Sequence, residues 1–123
     1  STIAQHAALA AFNPETIAIL ESRRQEFASR RDILVPGLRK LGFRIATEPR
    51  GAFYVYADCQ DLADDSFQFA EKLLTEAGVA ATPGLDFGSN SPQHHMRFAY
   101  TVERQQIEEA LGRISVFLDS RKT

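Results

Sequence analysis

The sequence is short of three things at once: cysteine, long apolar runs and any surplus of positive charge. Its single cysteine, Cys59, excludes an intramolecular disulfide and any zinc site built from several cysteines, and is compatible with the cytoplasmic location we expect. The longest uninterrupted apolar runs, Ala7 to Phe12 and Ala52 to Ala57, are six residues each, whereas a spanning helix needs roughly 20, so no membrane segment is expected. A net charge of −2 and a pI near 5.9 lack the clustered excess of Lys and Arg that phosphate backbones demand, so no nucleic-acid partner is expected either. The one basic cluster, Arg23, Arg24, Arg30 and Arg31, alternates with Glu21, Glu26 and Asp32 at helical spacing and reads as a solvated, ion-paired helix face. Ser1 to Phe12 also lacks a basic leader and a cleavage pattern, and the chain does not begin with methionine; it opens in what looks like the middle of a helix, which suggests a piece of something longer.

What is present is one globular domain, residues 1–123, with 44% hydrophobic and 24% charged residues. Asn13-Pro14-Glu15 marks a helix start, with Asn13 as cap and Pro14 where its missing N–H costs nothing. From there Ile17, Leu20, Phe27, Leu34, Leu38 and Leu41 form one apolar stripe up to Gly42, with a kink or break expected near Val35 because Pro36 removes a hydrogen bond. Phe43 and Ile45, a turn through Glu48 to Gly51, and the run Ala52 to Ala57 predict an antiparallel hairpin. Asp64 or Asp65 caps a third helix closed by Gly78, Val79 to Thr82 is a short strand, and Pro83-Gly84 turns the chain. The octapeptide His94 to Thr101 alternates with period two, and Thr101 is the expected cap of a final helix to Ser120 with Ile107, Ala110, Leu111, Ile114, Phe117 and Leu118 inward. The expected fold is an α/β two-layer sandwich in the order ααββαββα, with a small, mixed, mostly antiparallel sheet and helices mainly on one face.

Most candidate chemistry is weak. His94 and His95 point to opposite faces of a strand, so no metal site is expected. Cys59 has acidic neighbours, Asp58 and Asp61, that raise a thiol pKa, which argues against a nucleophile. Gly84 to Gly88 has no phosphate-loop spacing and no lysine, and reads as a turn. Arg97, in the middle of HHMRFAYT, is either a solvated strand charge or a placed cation.

In order along the chain, five segments resemble the carboxy-terminal small domain of class I/II aminotransferases, pyridoxal-phosphate enzymes of fold type I. They are Gln5 to Phe12; Arg31 to Leu34 with Gly37-Leu38 and Leu41 to Phe43; Pro49 with Gly51 to Val55; Ala77 to Ala80 with Thr82 to Gly84 and Phe87-Gly88; and Met96 to Tyr100. The resemblance implies that Arg97 binds the α-carboxylate of an amino-acid substrate, a role that suits a permanently charged, forked guanidinium. It implies pyridoxal 5'-phosphate as cofactor, an amino acid and a 2-oxo acid as substrates, and a homodimer for the full-length protein. The lysine that carries the cofactor in the family lies upstream of the match to Gln5. Lys40, Lys72 and Lys122 all read as surface residues, so no catalytic or cofactor-binding residue is expected here. The chain alone is expected to be inactive, with residues 1–12 a remnant of the connection to an absent larger cofactor domain of the same protein. A lyase or synthase of the same fold, and a freestanding ligand-binding α/β module, are the alternative readings.

Overall fold

A computed structural model describes residues 1–121; Lys122, expected at the surface, lies outside them. Two helices open the chain, α1 (Thr2–Ala10) and α2 (Pro14–Lys40), followed by β1 (Tyr54–Asp58), α3 (Ser66–Ala77) and the two-residue β2 (Thr82–Pro83). Two short 3₁₀ turns, Gly84–Phe87 and Pro92–His94, lead into β3 (His95–Ala99) and the closing helix α4 (Arg104–Ser120). The architecture is the expected α/β one, a small open sheet with four helices.

The sheet runs β1-β3-β2 with antiparallel pairing at both junctions, so the mixed component of the expectation is absent among the described strands. Val55, Ala57, Met96 and Phe98 point to the covered face and are buried among α2, α3 and α4 through Leu34, Leu38, Phe69, Leu73, Ile107, Ile114 and Phe117. The expected first strand of the hairpin is reduced to a single antiparallel bridge, Arg44 to Asp58. Phe43 beside it is buried and packs edge-on against Phe98 at 5.1 Å, so the segment serves the core with a side chain rather than the ladder with its backbone. Beyond the bridge the chain bows out to Ala52, whose φ of 59° is left-handed; the Tyr100 hydroxyl holds this turn by donating to the carbonyls of Gly51 and Ala52 at 3.1 and 3.2 Å.

Helix boundaries follow their caps. Asp65, one of the two expected residues, caps α3 by accepting from the Phe67 and Gln68 amides at 2.8 and 3.0 Å, a bond pair of about 1 kcal/mol. At the other end Gly78 adopts φ 65°, the left-handed stop that a side chain would strain. The last helix departs from expectation: its cap is Glu103, not Thr101, because Glu103 and Gln106 close a reciprocal capping box. The expected strand Val79 to Thr82 starts three residues later, as the two-residue Thr82–Pro83, with Val79 buried instead as an anchor after α3.

The long helix corrects the sequence reading twice. No break occurs at Pro36, since the helix continues unbroken to Lys40. Its apolar stripe is also used unevenly: Leu34 and Leu38 are buried and Phe27 is partly so, whereas Ile17 and Leu20 are about half exposed. Helix α1 buries no residue.

Candidate functional site

Arg97 sits at the middle of β3, itself the middle strand, and antiparallel pairing sets Tyr56 of β1 and Thr82 of β2 directly beside it. Its neighbours Met96 and Phe98 are fully engaged in the core, so alternation turns Arg97 to the sheet face away from the helices. That face is aromatic. The guanidinium carbon lies 4.4 Å from the centre of the Phe87 ring and 5.6 Å from that of Tyr54. Tyr56 stacks on His95 at 4.9 Å with the rings 5° from parallel, and meets Phe87 edge-on at 6.2 Å.

The guanidinium is under-used as a donor. Of the five N–H groups an arginine carries, one from Nη2 reaches the Thr82 hydroxyl, at a long 3.5 Å, and the buried Nε has no hydrogen-bond partner. Among the described residues no carboxylate pairs with it, although eight contacts between other arginines and acids do form. A half-buried cation held by π-faces and lacking a counter-ion is arranged to receive an anion, and a planar one suits a carboxylate two bonds for two. Because Tyr54, Tyr56 and Phe87 remain 38–43% exposed, the face is open and forms one wall of a cleft rather than an enclosed pocket.

The other sequence candidates do not join this site. Burial first, and then the Asp58 carboxylate, push the Cys59 thiol up to about 11, and its Sγ lies 3.3 Å from the His94 carbonyl oxygen; it is a core residue, not a nucleophile. His94 ends a 3₁₀ turn while His95 begins β3 with Nδ1 2.9 Å from the Ser91 carbonyl oxygen, and among the described residues no three metal-ligating side chains converge. The turn Gly84 to Gly88 proves to be the segment that delivers Phe87. Lys40 and Lys72 are exposed on α2 and α3, in the helical layer on the far side of the sheet from Arg97. The rings around Arg97 were missed from sequence. Alternation alone could have put Tyr54 and Tyr56 on one face, but no local signal sets the register that brings them to Arg97.

The basic cluster on α2 also differs from expectation at one position. Arg24 pairs with Glu21 and Arg31 with Asp32 at the surface, whereas Arg30 is buried, donating to Glu26 at 2.8 Å, to the Thr101 carbonyl at 3.0 Å and to Glu103 at 3.2 Å.

Comparison with known proteins agrees with this geometry. Residues 1–114 match the family model for aminotransferase class I and II. The chain is 40% identical over 119 residues to the valine–pyruvate aminotransferase of Mycobacterium tuberculosis, covering 97% of this chain and 31% of that protein. It is likewise 40% identical over 116 residues to the aspartate/prephenate aminotransferase of Thermus thermophilus, covering 93% and 29%. The crystal structure of an aminotransferase from Mycobacterium tuberculosis superimposes with a TM-score of 0.87 at 42% identity, over 93% of this chain and 30% of that one. The chain thus spans about three-tenths of the length of the relatives it matches. The fold, the motif order and these similarities lead to one assignment: the chain belongs to the class I and II aminotransferase family.

Proposed function

We propose that this chain is the small domain of a pyridoxal-phosphate-dependent aminotransferase that moves an amino group between an amino acid and a 2-oxo acid, and that Arg97 grips the substrate's α-carboxylate. One observation carries the reading: a guanidinium on the open sheet face, flanked by rings, with Nε unpartnered and no acid at hand. Two parallel N–H···O bonds from the terminal Nη1 and Nη2 groups to a carboxylate would fix the substrate's Cα in register with the reacting atoms. The names of the relatives support the amino-acid and 2-oxo-acid substrate classes.

The placement of both described lysines in the helical layer, away from the Arg97 face, supports a cofactor held by the rest of the full-length enzyme. When bound in the full-length enzyme, pyridoxal phosphate supplies an electron sink for charge developing at the substrate Cα. This chain's share is binding and orientation: Arg97 places the carboxylate, and the rings beside it keep water from its flanks. The exposed apolar side chains Ile3, Leu9, Phe12, Ile17, Ile19 and Leu20, on α1, the turn after it and the free end of α2, face the larger domain of the same protein in this reading, within a cytoplasmic homodimer.

The test is substrate loss without fold loss. In the full-length enzyme Arg97→Ala abolishes most activity toward every α-amino acid while leaving bound cofactor unchanged; equal activity of parent and variant would refute the assignment. The isolated chain should show no transaminase activity and no borohydride-trapped cofactor at any one lysine.

A further inference from the structure

We infer that Phe87 is a positioning residue for the carboxylate grip: its ring, not an acid or a backbone group, sets where the Arg97 guanidinium lies. This rests on the reading of Arg97 as the carboxylate-binding residue. Placed side chains need fixed partners, and the one polar contact that could fix Arg97, a 3.5 Å bond to Thr82, is poor, while its Nε has no partner. The nearer of its two ring partners is Phe87 at 4.4 Å, against 5.6 Å for Tyr54, well inside the range where a cation is attracted to a π-face. An aromatic partner holds a guanidinium without using up its donors, so the terminal N–H groups not turned to Thr82 stay available to the substrate. A carboxylate partner would compete with it.

Phe87 can do this only if it is itself held, although it is 43% exposed on a turn. Both ends of its segment are clamped. At the start, Gly84 fits so tightly that a Cβ there would lie 2.4 Å from the Pro92 carbonyl oxygen, 2.7 Å from the Tyr56 hydroxyl and 2.8 Å from the His95 carbonyl oxygen, which only glycine tolerates. At the finish, the Pro92 carbonyl accepts from the Ser66 hydroxyl at 3.1 Å, the His94 carbonyl from the Cys59 amide at 2.7 Å, and the Ser91 carbonyl from the His94 amide at 3.0 Å. The ring itself leans edge-on against Tyr56, which is stacked on His95. A run of rings from His95 through Tyr56 to Phe87 therefore ends under the cation.

The experiment measures binding of pyruvate and phenylpyruvate, a small and a large 2-oxo acid, to the full-length enzyme, with KM and kcat in parallel, for Phe87→Leu, Phe87→Tyr and Arg97→Met. Phe87→Leu keeps an apolar side chain but removes the π-face, and should weaken both acids by about threefold to thirtyfold, with KM moved more than kcat. Phe87→Tyr restores the face and should stay within about twofold of the parent. If Arg97→Met loses both acids while Phe87→Leu binds them like the parent, the inference fails and the carboxylate reading stands. If Leu and Tyr lose affinity equally, or if Phe87→Leu does not fold, Phe87 is a packing residue and the inference fails. If Arg97→Met binds both acids like the parent, the carboxylate reading fails and this inference falls with it.

Discussion

Two arginines, one at the junction of α2 with α4 and one on the open sheet face, show how the same side chain is used for opposite ends. Arg30 is buried and saturated, with Glu26, Glu103 and the Thr101 carbonyl all accepting from it, so its charge is spent within the fold. Arg97 is held by rings and pairs with no acid among the described residues, so its charge is not spent within them. Both are removed in part from water, and neither is an ordinary surface cation. The difference teaches that partial burial of an arginine says little about function until its donors have been followed one by one.

The contrast breaks most sharply at Arg97. Arg97→Ala in the full-length enzyme should lower kcat/KM for α-amino acids by roughly 2–5 kcal/mol of transition-state stabilisation, about thirtyfold to a few thousandfold, and Arg97→Lys should recover only part. Steady-state kinetics checks the loss, and urea unfolding should show almost none. Arg30→Ala should invert that pattern, lowering unfolding free energy by about 2–3 kcal/mol through lost charged hydrogen bonds and packing of its stem, with kcat/KM close to the parent value. A catalytic defect larger than the stability defect would erase the distinction between the two sites.

Smaller changes sharpen the Arg30 side. Glu103→Ala removes one acceptor and opens the capping box of α4, and should cost about 1 kcal/mol by denaturant unfolding. The exposed Glu21–Arg24 pair is the control with the least expected effect. Hydrogen bonds from Arg24, then from Gln25, hold the Glu21 carboxyl down to about 2, so whatever the pair contributes is present above the ordinary value of 4.5 and fades as pH falls from there toward 2. Full exposure screens it, so Glu21→Gln and the parent should unfold at the same urea concentration at about pH 7 and at about pH 3.

Arg97 and Arg30 were not equally legible in the sequence. Arg97 lies in a clean period-two run, so its face could be assigned locally, and the family motifs around it suggested a role. Arg30 reads as one of four solvated helix cations because its acid at Glu26 is local, whereas its other acceptors lie 71 and 73 residues away. The same limit explains the lost hairpin strand: Phe43 has a strand former's composition, yet only Arg44 bridges to Asp58, and whether a segment joins a ladder depends on the partner's edge rather than on its own residues. Caps with self-contained chemistry, as at Asp65, were readable. The start of α4 was not, because a glutamate was competing with a better-known capping residue two positions earlier.

Helix α2 has a mechanical consequence. It is gripped by the body from Phe27 through Arg30 and Leu34 to Leu38, next to the sheet that carries Arg97, and projects to an unburied end at Pro14. At 1.5 Å per residue the free arm from Pro14 to Phe27 is about 20 Å long, so a swing of about ten degrees at the gripped end sweeps the tip through roughly 3 Å. The helix is thus a lever with its fulcrum in the core. Whatever seats the tip reads small tilts of the body as large displacements, and a firm seat there in turn fixes the aim of the sheet face to within a few degrees.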